Sequence, residues 1–120
     1  MTGNNIILNE PLSRHTSWKV GGLADVFFTP NDRNDLSHFL KSNDGSITWL
    51  GNGTNILVRD GGVKGVVIST RKAFNKIELM DTSSCKVEAG VSCFELAMYA
   101  TKNNFGPAAF FSGIPGSIGG

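Results

Sequence analysis

Cysteine is scarce in this 120-residue chain: Cys85 and Cys93 have seven residues between them and no histidine nearby. That spacing is neither a CxxC redox pair nor a zinc site, so reduced, buried thiols are expected. Histidine is equally sparse, and His15 and His38 have no metal-ligand partners in sequence, so no metal site is expected. Charge of one sign is not in excess: eleven Lys and Arg oppose ten Asp and Glu, for a formal charge of +1. No basic face advertises nucleic acid and no acidic tail advertises a charged partner. No run approaches the roughly 18 apolar residues of a membrane span, and MTGNNIILNE has neither the basic n-region nor the apolar h-region of a signal peptide. The expectation is a soluble cytoplasmic protein with no membrane or nucleic-acid partner.

Glycine is abundant, with 15 residues, and its placement organises the chain. LADVFFT (23–29) combines β-branched and aromatic residues and ends at Pro30, which predicts a strand. Asn31 or Asp32 then caps a short helix whose Leu36, Phe39 and Leu40 recur at i, i+3, i+4, with a stop near Asn43–Gly45. ITWL (47–50), ILV (56–58) and VVIS (66–69) read as strands separated by GNGTN and the turn RDGG, in which Asp60 is a turn residue. KIELM (76–80) and KVEA (86–89) predict a hairpin around Asp81–Ser84, whose short polar side chains favour turns. Ser92 stands three residues before Glu95, flanked by Val91 and Leu96. Capping box and hydrophobic staple therefore coincide at the start of a helix running to Asn104, with Gly106 and Pro107 as the stop. Trp18, Trp49, Phe110 and Phe111 lack interleaved basic residues and are expected in the core.

Two glycine-rich segments could carry chemistry. In Gly51-Asn52-Gly53-Thr54-Asn55, glycines without Cβ atoms let backbone N–H groups approach an anion, and Thr54 and Asn55 add side-chain donors. The segment is not GxxxxGK[ST] and no helix follows it, so neither the Walker nor the Rossmann mechanism applies. The alternative is an Asn-Gly hairpin turn. Ser112-Gly113-Ile114-Pro115-Gly116-Ser117-Ile118-Gly119-Gly120 lets backbone pack against a flat ligand, with Ser112 and Ser117 supplying hydroxyls; its alternative is an ordinary Gly/Pro loop. Two such loops in one small domain favour a nucleotide or cofactor. No Ser/His/Asp set can be assembled, and Ser112 is not in a GxSxG elbow.

The order of segments SRHTSWKVGGLADVFFTP (13–30), WLGNGTNILVRDGGVKGVVIS (49–69), VEAGVSCFELAMYA (87–100) and FFSGIPGSIGG (110–120) resembles the N-terminal part of the UDP-N-acetylenolpyruvoylglucosamine reductase (MurB) family of peptidoglycan synthesis. The resemblance implies an α+β chain with the FAD-binding fold of the vanillyl-alcohol-oxidase (PCMH) type. Residues 1–70 would be the first FAD-binding subdomain and 71–120 the start of a truncated second. It implies that Gly51, Asn52, Gly53, Thr54 and Asn55 cradle the FAD pyrophosphate, with Ile56 entering the next strand. Gly113, Ile114, Pro115, Gly116 and Ser117, with Gly119 and Gly120, would line the flavin. In the family NADPH is the hydride donor and a UDP-sugar enolpyruvyl ether the substrate. The family's catalytic serine, arginine and glutamate lie downstream of the segment matching SGIPGSIGG, so no catalytic residue is assigned here. The abrupt end after an apolar Phe-Phe pair leads to the expectation that this is the leading piece of a longer enzyme, inactive alone. Another FAD-dependent oxidoreductase of the same fold and a non-catalytic nucleotide-binding module are the alternatives.

Overall fold

Parallel strands buried on both faces need near-continuous apolar runs, and the chain supplies two of them at its centre. The computed structural model describes residues 5–120. Its four-stranded sheet contains β1 (Ile6–Pro11), β2 (Leu23–Phe28), β3 (Ile47–Leu50) and β4 (Val63–Ser69) in the order β1-β2-β4-β3. The first pair is antiparallel, while β4 lies parallel to both β2 and β3. Between Ala24 and Val26 of β2 the facing strand advances by an extra residue, from Val63 to Val66. This bulge is made possible by Gly65 at φ +87°, and the Gly65 N–H donates to Asp25 Oδ2 at 3.2 Å.

The central strands put side chains alternately on two faces. Phe28, Val66 and Ile68 form one buried cluster, closed by Leu36, Phe39 and Leu40 of α1 (Arg33–Ser42). Phe27 and Val67 point the other way and join Ala24, Leu12, Leu50 and Val58. On this second face the cover is irregular backbone. Leu12 opens a short 3-10 helix (Leu12–His15), and Ile56 and Val58 come from the connection after β3. Residues 56–58 are therefore not the predicted strand. They descend as extended backbone and bury two alternate side chains against the sheet face. The edge strand β1 was not anticipated, because Asn9 at φ +56° and the terminal Pro11 interrupt its apolar pattern.

The helix starts agree with local chemistry. Asp32 accepts from the Asp35 N–H at 2.7 Å and caps α1. The predicted hairpin is present as β5 (Ile77–Leu79) and β6 (Cys85–Val87), paired antiparallel. At the head of α2 (Cys93–Lys102), Ser92 Oγ accepts from the Glu95 N–H and Glu95 Oε1 accepts from the Ser92 N–H, a complete capping box. The helix stops earlier than expected, with Asn104 at φ +62° in the left-handed position often taken by glycine. Gly106 then opens a 3-10 helix (Gly106–Gly113) instead of ending α2.

Three of the four aromatics assigned to the core are exposed: Trp18, Trp49 and Phe110. Phe111 is half-buried and stacks on Phe110, with ring centroids 4.4 Å apart. The core is too thin to hold them, because Phe27 and Phe28 already fill the two sides of the sheet. Cys93 is buried and Cys85 half-buried, both as free thiols. Among the described residues, no helix is long and apolar enough to cross a membrane.

Two stability effects follow. Ser92→Ala removes the acceptor for the Glu95 N–H and should cost about 1 kcal/mol, against a few tenths for Ser92→Gly, read as a lower urea midpoint at constant m. In the β5–β6 turn, Asp81 Oδ1 accepts from the Ser83 N–H at 2.8 Å and the Ser83 hydroxyl at 3.1 Å. The Ser83 backbone bond leads the interactions that hold the Asp81 carboxyl below its ordinary 3.8. A lowered folded-state value means this stabilisation is complete above the unfolded pKa and is lost as pH falls through the folded one. An NMR titration of the Asp81 side-chain carboxyl carbon should show its midpoint below the ordinary 3.8; a midpoint at or above that value contradicts the turn geometry.

Candidate functional site

Strands β3 and β4 are parallel neighbours, so the chain between them must cross over and no hairpin can form at Asn52-Gly53. That crossover, residues 51–62, contains no helix. It packs Ile56 and Val58 against the sheet face carrying Leu50, Phe27 and Val67, and Gly51–Asn55 forms its first bends and turn.

Gly53 is the fixed point of the loop. It is buried, at φ +71°, and a Cβ there would overlap the His15 carbonyl oxygen. The Ser17 N–H donates to the Gly53 carbonyl at 2.9 Å, so the chains at 15–17 and 53 are locked together. Behind this contact, Glu10 is only 8% exposed. Its Oε2 lies 2.7 Å from His15 Nε2, and the His15 ring stacks on Phe27 at 4.2 Å. Arg14 adds a longer contact of 3.8 Å to Glu10 Oε1. Sequence reasoning gave His15 no role. A five-residue spacing between Glu10 and His15 matches neither a strand face nor a helix face, and no local pattern could have revealed the pair.

The second glycine segment reaches the same place from the other direction. Its backbone is tied to the residues before α2: Cys93 N–H to the Gly116 carbonyl at 2.9 Å, Ile118 N–H to Val91 at 2.8 Å, and Gly119 N–H to Ala89 at 2.9 Å. This places Ser117 against Gly51 and Gly116 against Thr54. A Cβ on Gly51 would overlap the Ser117 hydroxyl, and one on Gly116, at φ +105°, would stand 2.8 Å from Thr54 Oγ1. Ser117 is 5% exposed, yet its Oγ has no hydrogen-bond partner among the described residues. A buried hydroxyl without a partner is costly unless a ligand or water satisfies it. Beside it lies a cavity of about 430 Å³ lined by Trp49, Gly51, Phe74, Ser117, Gly119 and Gly120, among others. That is the size of a small-molecule site.

The sequence-assigned residues therefore divide. Gly51, Ser117, Gly119 and Gly120 line the cavity, and Thr54 and Gly116 meet beside it. Gly53 supports the loop from behind, Ile56 packs into the core, Asn52 is half-buried and Asn55 is exposed. Gly113, Ile114 and Pro115 stand in solvent at the end of the 3-10 helix and do not line the cavity. His38 is exposed on α1.

The pattern that defines the FAD binding domain family matches residues 24–120, most of the chain. The chain belongs to that family. Over 97% of its length the FAD-binding chain is 44% identical to the UDP-N-acetylenolpyruvoylglucosamine reductase of Desulforamulus reducens, and over 93% it is 43% identical to that of Methylococcus capsulatus. It spans 39% and 38% of those two relatives. The crystal structure of UDP-N-acetylenolpyruvylglucosamine reductase (MurB) from Thermus caldophilus superposes with a TM-score of 0.64 at 29% identity, covering 96% of this chain and 39% of that one. The mixed sheet with its helices is thus the FAD-binding fold of the vanillyl-alcohol-oxidase (PCMH) type. The geometry fits such a cofactor: a partnerless buried hydroxyl and glycines whose missing Cβ atoms leave room for close backbone approach.

Gly53→Ala should destabilise the FAD-binding domain by at least about 2 kcal/mol, combining a left-handed backbone penalty with overlap on the His15 carbonyl. Gly113→Ala, where nothing lies within 4 Å of the added methyl, should stay within about 0.5 kcal/mol. Urea midpoints of the two variants check the contrast.

Proposed function

We propose that this chain is the FAD-binding portion of a UDP-N-acetylenolpyruvoylglucosamine reductase, acting in the cytoplasm in peptidoglycan synthesis. The observation that carries the reading is the meeting of the two glycine segments around the unpartnered Ser117 hydroxyl, beside a cavity both segments line. On this reading the backbone N–H groups of Gly51–Asn55, with the Thr54 hydroxyl and the Asn55 amide, hold the FAD pyrophosphate. The Ser117 Oγ supplies a hydrogen bond from the facing segment, and Gly119 and Gly120 allow close approach. Gly113, Ile114 and Pro115, outside the cavity, face the flavin only by the family resemblance. The domain boundary falls near Thr70, after the last residue of β4 and before the β5–β6 hairpin, giving subdomains 1–70 and 71–120.

FAD held by these residues would supply the hydride-transfer chemistry between NADPH and a UDP-sugar enolpyruvyl ether. The chain's own contribution is to bind and orient the dinucleotide between two backbone loops and to keep water from its phosphates. The names of the relatives, and the match of the chain to about two fifths of their length, support this division of labour. Protonation of the substrate carbon belongs, by the family resemblance, to residues beyond the segment matching SGIPGSIGG.

Titration of FAD into the chain, followed by flavin fluorescence, should give saturable one-to-one binding that is weak, because contacts from the remainder of the enzyme are missing. Addition of NADPH and the enolpyruvyl substrate should produce no turnover. Absence of any saturable FAD binding by a folded chain would overturn the cofactor reading, and turnover by the chain alone would overturn the assignment of the acid outside it.

A further inference from the structure

Trp49 stands out among the cavity-lining side chains. Along β3, Ile47 packs into the cluster under α1 and Leu50 is buried on the opposite face, yet Trp49 is 51% exposed. It shares the α1 side of the sheet with Ile47, and it lines the cavity together with Leu36 of α1 and Phe74. Gly51 follows two residues later, roughly 7 Å along extended backbone, and brings Ser117 to the same cavity. One wall of the cavity is therefore a large aromatic surface left half in water, and the other end is a phosphate-type cradle with an unpartnered hydroxyl.

We infer that the Trp49 indole is a stacking wall for a planar heterocycle of the bound dinucleotide, adenine or isoalloxazine, held one sugar's reach from the phosphates at Gly51. The inference rests on the FAD reading above and adds an affinity residue to it. An indole face offers a flat, polarisable surface on which any such ring gains stacking energy without hydrogen-bond readout. Covering it with the ligand removes the exposure that the fold itself leaves. Trp18, 64% exposed and outside the cavity, is an internal control, since the chain has only these two tryptophans.

The test uses the ¹⁵N-labelled chain, whose two indole N–H signals are assigned with Trp18→Phe and Trp49→Phe. FAD is titrated in, and in separate arms ADP and FMN, which carry one ring each. With FAD the Trp49 indole signal should shift saturably while Trp18 stays in place. The half-molecule that reproduces the shift identifies the stacked ring. Trp49→Leu should raise the FAD Kd about tenfold, and Trp49→Phe, which keeps a ring, less than about threefold. If the amides of Gly51–Asn55 move with FAD while the Trp49 indole does not, or if Trp49→Leu leaves Kd unchanged, the stacking role is overturned and the FAD reading stands. If neither amides nor indole move, the FAD reading falls and takes this one with it. Should Trp49→Leu lose its dispersed amide spectrum, the indole shift of the unaltered chain and the Trp49→Phe affinity still decide.

Discussion

Parallel pairing of β3 with β4 is the constraint from which the site follows. Two adjacent parallel strands cannot be joined by a tight turn, and the usual solution is a helix packed on the sheet. Here the crossover is the glycine-rich stretch 51–62, which must cover a sheet face and bury backbone at once. Ile56 and Val58 provide the cover. Gly53 provides the buried backbone, pressed on residues 15–17 so closely that no side chain fits between. The loop is thereby anchored to the core through Gly53 and the Ser17 N–H bond on one side, and meets Ser117 and Gly116 on the other.

The opposite side of the cavity is held by a different device. The segment 116–120 borrows order from residues 89–93 through a run of main-chain bonds, and those residues are themselves fixed by the capping box at Ser92 and Glu95. The same serine that starts α2 pairs with Ser117 as an isolated antiparallel bridge. The geometry of the Ser117 hydroxyl thus depends on a helix cap rather than on a sheet.

Local chemistry made much of this legible in advance. Asp32, the Ser92–Glu95 box, the turn at Asp81 and the strands LADVFF and VVIS each declare themselves within a few residues, and each is where it was expected. The failures are long-range. Nothing within ILV distinguishes a strand from an extended cover segment, since both need alternating apolar side chains. Trp18 and Trp49 are expected in the core because no basic residues interleave with them, but exposure depends on what packs over each position, and both are left more than half exposed. The Glu10–His15 pair and the contact of Gly51 with Ser117 join residues that no periodicity relates. The two glycine segments read together as a cofactor site in the sequence, but their direct contact, Gly51 on Ser117 and Thr54 on Gly116, is visible only in the fold.

The position of β4 between β2 and β3 also governs the order in which this sheet can assemble. Before the chain beyond Gly62 is made, β3 and α1 exist in sequence but β3 lacks β4, its one hydrogen-bonded neighbour strand among the described residues. The antiparallel ribbon of β1 and β2 needs no later strand, whereas β3 joins the sheet only through Val63–Ser69. The glycine-rich loop 51–62 therefore takes its place on the sheet only together with the strand that follows it.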